Sequence, residues 1–380
     1  MKNFIFQNPT KLVFGKGQIS KLSSLIPEDA KLMITYGGGS VKTNGVYNQV
    51  TEALKNRQYI EFWGIEPNPT IETLRKAIAL GKANNIDFIL AVGGGSVLDG
   101  TKLIAAGILY AGDAWEIVLK GKADKCIPFA SIMTLPATGS EMNSGAVISR
   151  TETKEKYAFS SKYPQFSILD PETTYSLPAN QVANGLADIY VHVMEQYLTT
   201  TGQSRVMDRW AEGILLSLIE IAPLIKKNQH DYDTMSDFML SATLALNDFI
   251  RMGVSQDWAT HMIGHELTAF TGISHGASLA IVLPGTMYVM KEQKKEKLLQ
   301  YAERVFNINT GTDEEKMLAA INKTDEFFQS IGLATKLSAA NIDGSVIDTI
   351  VNRFTKEGTT LGENGNITGA VVGEILRTRV

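Results

Sequence analysis

Four of the five histidines in this 380-residue chain fall in two short stretches, at spacings that could hold a metal ion. Asp188 and His192 are four residues apart in GLADIYVHVMEQY. His261 and His265 share that spacing in WATHMIGHELTAF, and His275 follows in GISHGASLAIVLP. On a helix, residues four apart project from one face. A carboxylate combined with imidazoles suits a divalent first-row metal such as zinc or iron(II). One such pair alone is more often a helix surface contact; the concentration of four histidines and an aspartate favours a metal site. His230, between charged residues in KKNQHDYD, reads as a solvated surface histidine. From Met252 to Met290 there is no Lys or Arg, while Trp258, Met262, Phe270 and Ile273 supply apolar surface. A pocket built there would suit a small, largely apolar ligand.

A second chemistry resides in glycine. Gly93-Gly94-Gly95-Ser96 follows the apolar run DFILAV and opens a helical pattern carrying Val97, Leu98, Leu103 and Ile104. Such a turn lets the backbone approach a ligand, and the free N–H groups of the helix start favour a phosphate. Ser96 is placed to cap that helix or bond a phosphate oxygen. Gly37-Gly38-Gly39-Ser40 repeats the arrangement after KLMITY. One run reads equally well as a tight strand-to-helix turn, whereas two favour a nucleotide crevice. Neither is the G-x-G-x-x-G fingerprint of an ordinary Rossmann domain.

These residues need a scaffold. Strands are expected at 31–36, 59–63, 87–92 and 127–136, with helices near 44–56 and 71–84, the alternation of a doubly wound parallel sheet. Ligands of such sheets sit beyond the carboxyl ends of the strands, where both glycine runs fall. Residues 144–176 read as short strands and turns. Past Pro178 the pattern is helical, with candidates near 179–199, 204–226, 232–250, 257–270 and 276–292. The expected architecture is an α/β domain over 1–178 with a parallel, Rossmann-like sheet, followed by an all-α domain over 179–380. Hydrophobic residues at 44% and charged residues at 20% suit such a soluble, two-domain chain. A net charge of -4 gives no basic field for nucleic acid. No apolar run approaches the ~20 residues of a membrane span. The N-terminus lacks a secretory apolar core, and the lone Cys126 fits a reducing compartment, so a cytoplasmic protein is expected.

Taken together, YGGGSVKTNGV (36–46), VGGGSVLDGTK (92–102), TLPATGSEMN (134–143), ADIYVHVMEQY (187–197) and WATHMIGHELTAFTGISHGASLAIVLP (258–284) resemble the iron-containing (group III) alcohol dehydrogenase family. Within it they resemble the butanol dehydrogenase and NADPH-dependent aldehyde reductase branch. The resemblance implies a dehydroquinate synthase-like fold, a dinucleotide-binding first domain, a metal- and substrate-binding helical domain and a homodimer. Its metal ligands match Asp188, His192, His261 and His275, and His265 matches a further histidine near the substrate, a candidate proton relay. Pyrophosphate contacts match Gly94, Gly95 and Ser96, with Asp99 one helical turn on, near the nicotinamide and the reacting atoms. Thr134, Thr138, Asn143, Lys156 and Tyr175 match other cofactor contacts; Gly38 and Ser40 match the pocket around the adenosine ribose, and Gly37 and Gly39 belong to the same cofactor-binding turn. By itself Lys156 would read as a solvated charge, and Thr134, Asn143 and Tyr175 as turn residues.

The implied reaction is hydride transfer between NADP(H) and a small aldehyde or primary alcohol such as butanal or butanol, with zinc or iron(II) as Lewis acid. The competing readings are a glycerol dehydrogenase-like polyol oxidoreductase and a dehydroquinate synthase-like lyase. The lyase would need several Lys or Arg near the metal, and 252–290 has none. NAD-specific relatives carry an acidic side chain near the end of the first glycine turn; Tyr36 to Lys42 contains no carboxylate, so NADP(H) is expected over NAD, and Gly39→Asp should move the preference. Glycine N–H groups and the Ser40 hydroxyl can donate to a phosphate there, and Lys42 adds positive charge.

Overall fold

The computed structural model describes residues 1–200 and 204–380. Six strands, β1 (Lys11–Phe14), β2 (Leu32–Tyr36), β3 (Tyr59–Phe62), β4 (Phe88–Gly94), β5 (Phe129–Leu135) and β8 (Phe166–Leu169), form one sheet in the order β1-β8-β5-β4-β2-β3. Every pairing in it is parallel. Alternate residues feed opposite faces. Met33, Ile89 and Ala91 enter one hydrophobic cluster, and Leu32, Ile34, Leu90 and Val92 enter another. Burial on both faces is why these strands read as continuous apolar runs instead of alternating ones.

The pairing of Tyr36 with Val92 sets the ends of β2 and β4 side by side. Both glycine turns therefore leave the same edge of the sheet. The region read as short strands and turns divides in two: β6 (Gly145–Arg150) and β7 (Glu155–Ser160) form an antiparallel hairpin, whereas β8 joins the main sheet between β1 and β5. Strand β1, four residues of KLVF, had no sequence signal of its own.

The helical part includes Ala179–Tyr197, Arg205–Lys227, Ala259–Thr271, His275–Val289 and Val346–Glu357. Among the described residues no helix is long and apolar enough to cross a membrane.

The chain forms two compact units, Gln7–Leu177 with Gln229–Asn247, and Met1–Phe6 with Pro178–Asn228 and Asp248–Val380. A single cut at 178 thus misses two exchanges. The helix Tyr232–Ala245 belongs with the sheet, because Met239 enters its core, the Thr243 hydroxyl donates to Glu141 Oε1 (2.5 Å), and Asn143 Nδ2 donates to the Leu246 carbonyl (2.9 Å). Met1–Phe6 belongs with the helices, where the Lys2 N–H donates to the Gly253 carbonyl at 2.8 Å.

Candidate active site

One buried oxygen organises the histidines. Asp188 Oδ1 lies 3.6 Å from His192 Nε2, 3.7 Å from His261 Nε2 and 3.5 Å from His275 Nε2. Asp188, His261 and His275 each bring a ligand atom within 4.8 Å of the others. Asp188 and His192 project from one face of the 179–197 helix, as the spacing requires. His261 comes from the 259–271 helix, and His275 opens the next one. Gly276 makes that approach possible: a Cβ there would sit 2.3 Å from the Asn184 carbonyl oxygen.

These separations are too long for hydrogen bonds. Four ligand atoms placed ~2.0–2.2 Å from a tetrahedral centre, however, stand ~3.3–3.6 Å apart. Asp188 Oδ1 and His261 Nε2 are also buried without a hydrogen-bond partner, an arrangement that costs stability unless something else satisfies them. Burial alone would raise the Asp188 carboxyl, but His192, His261 and His275 outweigh it and hold the group below the usual carboxylate range. A charged carboxylate facing three imidazole nitrogens fits a divalent cation.

His265 is buried one turn beyond His261, with its ring 5.1 Å from that of His275. The Trp258 ring stands edge-on to His261 (5.1 Å) and His192 (6.2 Å). Its φ of 62° is left-handed, an unusual conformation for a bulky residue. The other three apolar residues are half-buried and have a second set of neighbours. Met262, Phe270 and Ile273 pack against a core cluster that includes Ile347, Ile350 and Phe354. An arginine enters as well: Arg353 lies over the Phe270 ring at 4.2 Å and pairs with Glu266 at 2.9 Å. Of the four, Trp258 is the one against the histidines. A sequence window cannot separate these roles, because the 259–271 helix turns one face to the histidines and another to the Val346–Glu357 helix.

In the α/β unit the two glycine turns differ physically. Gly95 opens the helix Gly95–Leu109, and a Cβ on it would come 2.4 Å from Thr138 Oγ1, so close packing already demands glycine. Gly94 is extended and caps that helix. Gly39 has φ 105° with open space around it, and Gly38 is open without a left-handed φ. Gly37 lies at the end of β2, where its carbonyl accepts from the Gly64 N–H at 3.2 Å. Ser40 is exposed at the start of the short Ser40–Thr43 helix. Lys42 is drawn over Trp63, with Nζ 4.0 Å from the ring centre.

Asn68 links two expected contacts: its N–H donates to Ser96 Oγ at 3.3 Å, and its Oδ1 accepts from Lys156 Nζ at 2.9 Å. Lys156 is buried, not solvated as its local sequence suggests. Asp99 accepts from the Ser140 hydroxyl (2.7 Å) and the Val147 N–H (2.9 Å). Burial raises its carboxyl above the usual range against the opposing pull of Lys102 and these bonds. The Asn143 amide is saturated within its unit. Its oxygen accepts from Lys102 Nζ (3.1 Å) and the Gly145 N–H (3.0 Å); its nitrogen donates to the Thr138 (3.3 Å) and Leu246 (2.9 Å) carbonyls. Thr134 is buried at the end of β5. His230 is exposed, as its charged neighbours suggest, and its ring also stacks on Tyr175, an expected cofactor contact, at 5.0 Å.

Two residues escaped the sequence reading. Lys102 is fully buried and ties the 138–145 loop to the 95–109 helix through Ser140, Asn143 and the Gly145 carbonyl (2.6 Å). Glu195 is buried beside His261, its Oε1 3.0 Å from the His261 N–H and 3.3 Å from Nδ1. Glu195 follows Asp188 by seven residues, so helical periodicity placed it on the Asp188 face all along.

A parallel nucleotide-type sheet and a helical unit with a histidine-carboxylate cluster define a class, and the comparisons name it. The chain belongs to the iron-containing alcohol dehydrogenase family: the model for iron-containing alcohol dehydrogenase matches residues 9–171, and that for the family's C-terminal part matches 182–380. It is 51% identical over 375 residues to the NADPH-dependent aldehyde reductase YqhD of Escherichia coli (strain K12), with 97% of each chain covered. It is 38% identical to the NADH-dependent butanol dehydrogenase A of Clostridium acetobutylicum, with 99% of each covered. The crystal structure of E. coli K-12 YqhD superposes with a TM-score of 0.98 at 50% identity, covering 100% of this chain and 99% of that one. NADH-dependent butanol dehydrogenase A of Thermotoga maritima superposes with a TM-score of 0.95 at 36% identity, again covering 100% and 99%.

Proposed function

We propose that this protein is a metal-dependent alcohol dehydrogenase and aldehyde reductase that transfers hydride between NADP(H) and a small, largely apolar aldehyde or primary alcohol of the butanal and butanol kind. The observation that carries the reading is the convergence of three imidazole nitrogens on Asp188 Oδ1 at 3.5–3.7 Å. Its direct test is NADPH oxidation with butanal, followed at 340 nm with and without a chelator; turnover that a chelator does not touch would refute it.

In this reading Asp188, His192, His261 and His275 hold one zinc or iron(II). When bound, the metal supplies Lewis-acid polarisation of the carbonyl oxygen and the nicotinamide supplies the hydride. His265 holds the proton at a ring nitrogen and passes it to the developing alkoxide. Gly94, Gly95 and Ser96 offer N–H and hydroxyl donors at a helix start, where the dipole favours a pyrophosphate. Asp99 and Lys102 orient the loop that carries Thr138 and Asn143, and Lys156 is steered toward Ser96 by Asn68.

The relatives are named for different cofactors, so the choice falls to the first glycine turn. With no carboxylate there to repel a 2′-phosphate, kcat/KM is expected to favour NADPH over NADH at least about tenfold, or ~1.4 kcal/mol. Gly39→Asp is a poor probe of this, because at φ 105° any side chain is strained. Gly38→Asp is the better variant, having open space and no left-handed φ. It should shift the preference toward NADH by weakening NADPH binding; no shift in the cofactor ratio would remove the turn from the explanation.

A homodimer is part of the proposal. Its support is an apolar surface of Phe4, Ile5 (99% exposed) and Phe6, continued through Phe249 to Trp210 by edge-on ring contacts of 5.9 and 4.8 Å. Contiguous apolar surface of this kind marks an interaction site. Sedimentation velocity should give the dimer mass for the unmodified chain and a monomer-weighted value for Ile5→Asp.

A further inference from the structure

We infer that Glu195 is a positioning residue for the metal centre, fixing the tautomer and orientation of His261. The inference rests on the reading above, that Asp188, His192, His261 and His275 hold a divalent cation. Glu195 Oε1 receives the His261 backbone N–H at 3.0 Å and stands 3.3 Å from the ring Nδ1. The side chain is 3% exposed. A carboxylate oxygen only accepts, so Nδ1 carries the proton of the neutral ring. That leaves the lone pair on Nε2, the nitrogen 3.7 Å from Asp188 Oδ1. The opposite tautomer would place the Nδ1 lone pair against the Glu195 carboxylate.

The backbone of Glu195 reinforces its side chain. Its carbonyl accepts from the Asp257 N–H at 2.8 Å, just ahead of the left-handed Trp258 and the start of the 259–271 helix. One residue of the 179–197 helix therefore anchors both the entry to the next ligand helix and the ring that helix presents. With Asp188 and His192 on the same face, that helix contributes two ligands and the group that aims a third. A carboxylate on the far nitrogen of a ligand histidine also raises its basicity toward the metal, an effect worth ~10–100-fold in metal affinity in comparable sites.

Glu195→Gln tests this, because the amide oxygen can still accept the His261 N–H while the charge is lost. The probe is cobalt(II) added to metal-free protein. The expected result is a 10–100-fold weaker affinity in competition with a chelator and a shifted visible absorption spectrum. NADPH binding and the melting temperature of the metal-free protein should be unchanged. Glu195→Asp, still anionic but one methylene short of the ring, is the second variant and should lose affinity in the same direction. Wild-type affinity and an unchanged spectrum in either folded variant would overturn the inference. Failure of the unmodified protein to bind cobalt would instead overturn the metal assignment itself, so the two failures are distinguishable.

Discussion

Asp188→Ala and His261→Ala are each expected to yield folded protein that retains no stoichiometric metal and turns over at least about 10³-fold more slowly. Lewis-acid stabilisation of a carbonyl oxygen contributes several kcal/mol, and each ~1.4 kcal/mol is tenfold in rate. Asp188 is the more informative of the two. It is the oxygen that all three Nε2 atoms approach, and without it the imidazoles face one another with no anion to offset the charge of a cation. NADPH binding, followed by fluorescence, should persist in both variants, since the sheet and its glycine turns belong to the other compact unit. Elemental analysis gives the decisive number, and stoichiometric metal in both purified variants would end the assignment. Protein purified anaerobically should carry one zinc or iron(II) per chain.

The second large effect concerns His265. His265→Ala is expected to keep its metal and lose about 10²–10⁴-fold in kcat, the range of general acid–base catalysis. The geometry behind this is its place one turn past His261 on the same helix, with its buried ring against His275. A group so placed can serve the reacting oxygen without entering the Asp188 cluster. Metal content and kcat measured on one preparation separate the possibilities. Metal lost together with activity would make His265 a ligand and displace one of the four named. His230 is no silent control for either experiment, because its ring supports Tyr175. A distant exposed pair such as Lys323 and Glu326 serves better.

The sequence by itself determined most of the strands and helices and the faces on which Asp188 and the histidines lie. Apolar runs at 31–36, 87–92 and 127–136 became buried parallel strands because a sheet covered on both faces leaves almost no strand position facing water. The four-residue spacings of Asp188 with His192 and of His261 with His265 became helix faces because α-helical periodicity is local. Motif order carried the family. What only the tertiary structure decided depends on partners distant in the chain. Strand β8 enters the main sheet rather than pairing with its neighbours β6 and β7, and the 232–245 helix leaves the helical unit for the sheet through Thr243 and Glu141. Lys156 looks solvated from TKEKYAFS, yet it is buried and bonded to Asn68, 88 residues away. Phe270 and Ile273 supply apolar surface as composition suggests, yet the residues they pack against, Ile347, Ile350 and Phe354, lie more than 70 positions on. Glu195 was legible as a position on the Asp188 face but not as a partner, since its contact with His261 spans 66 residues. Local periodicity fixes which way a side chain points; what it meets there is set by packing.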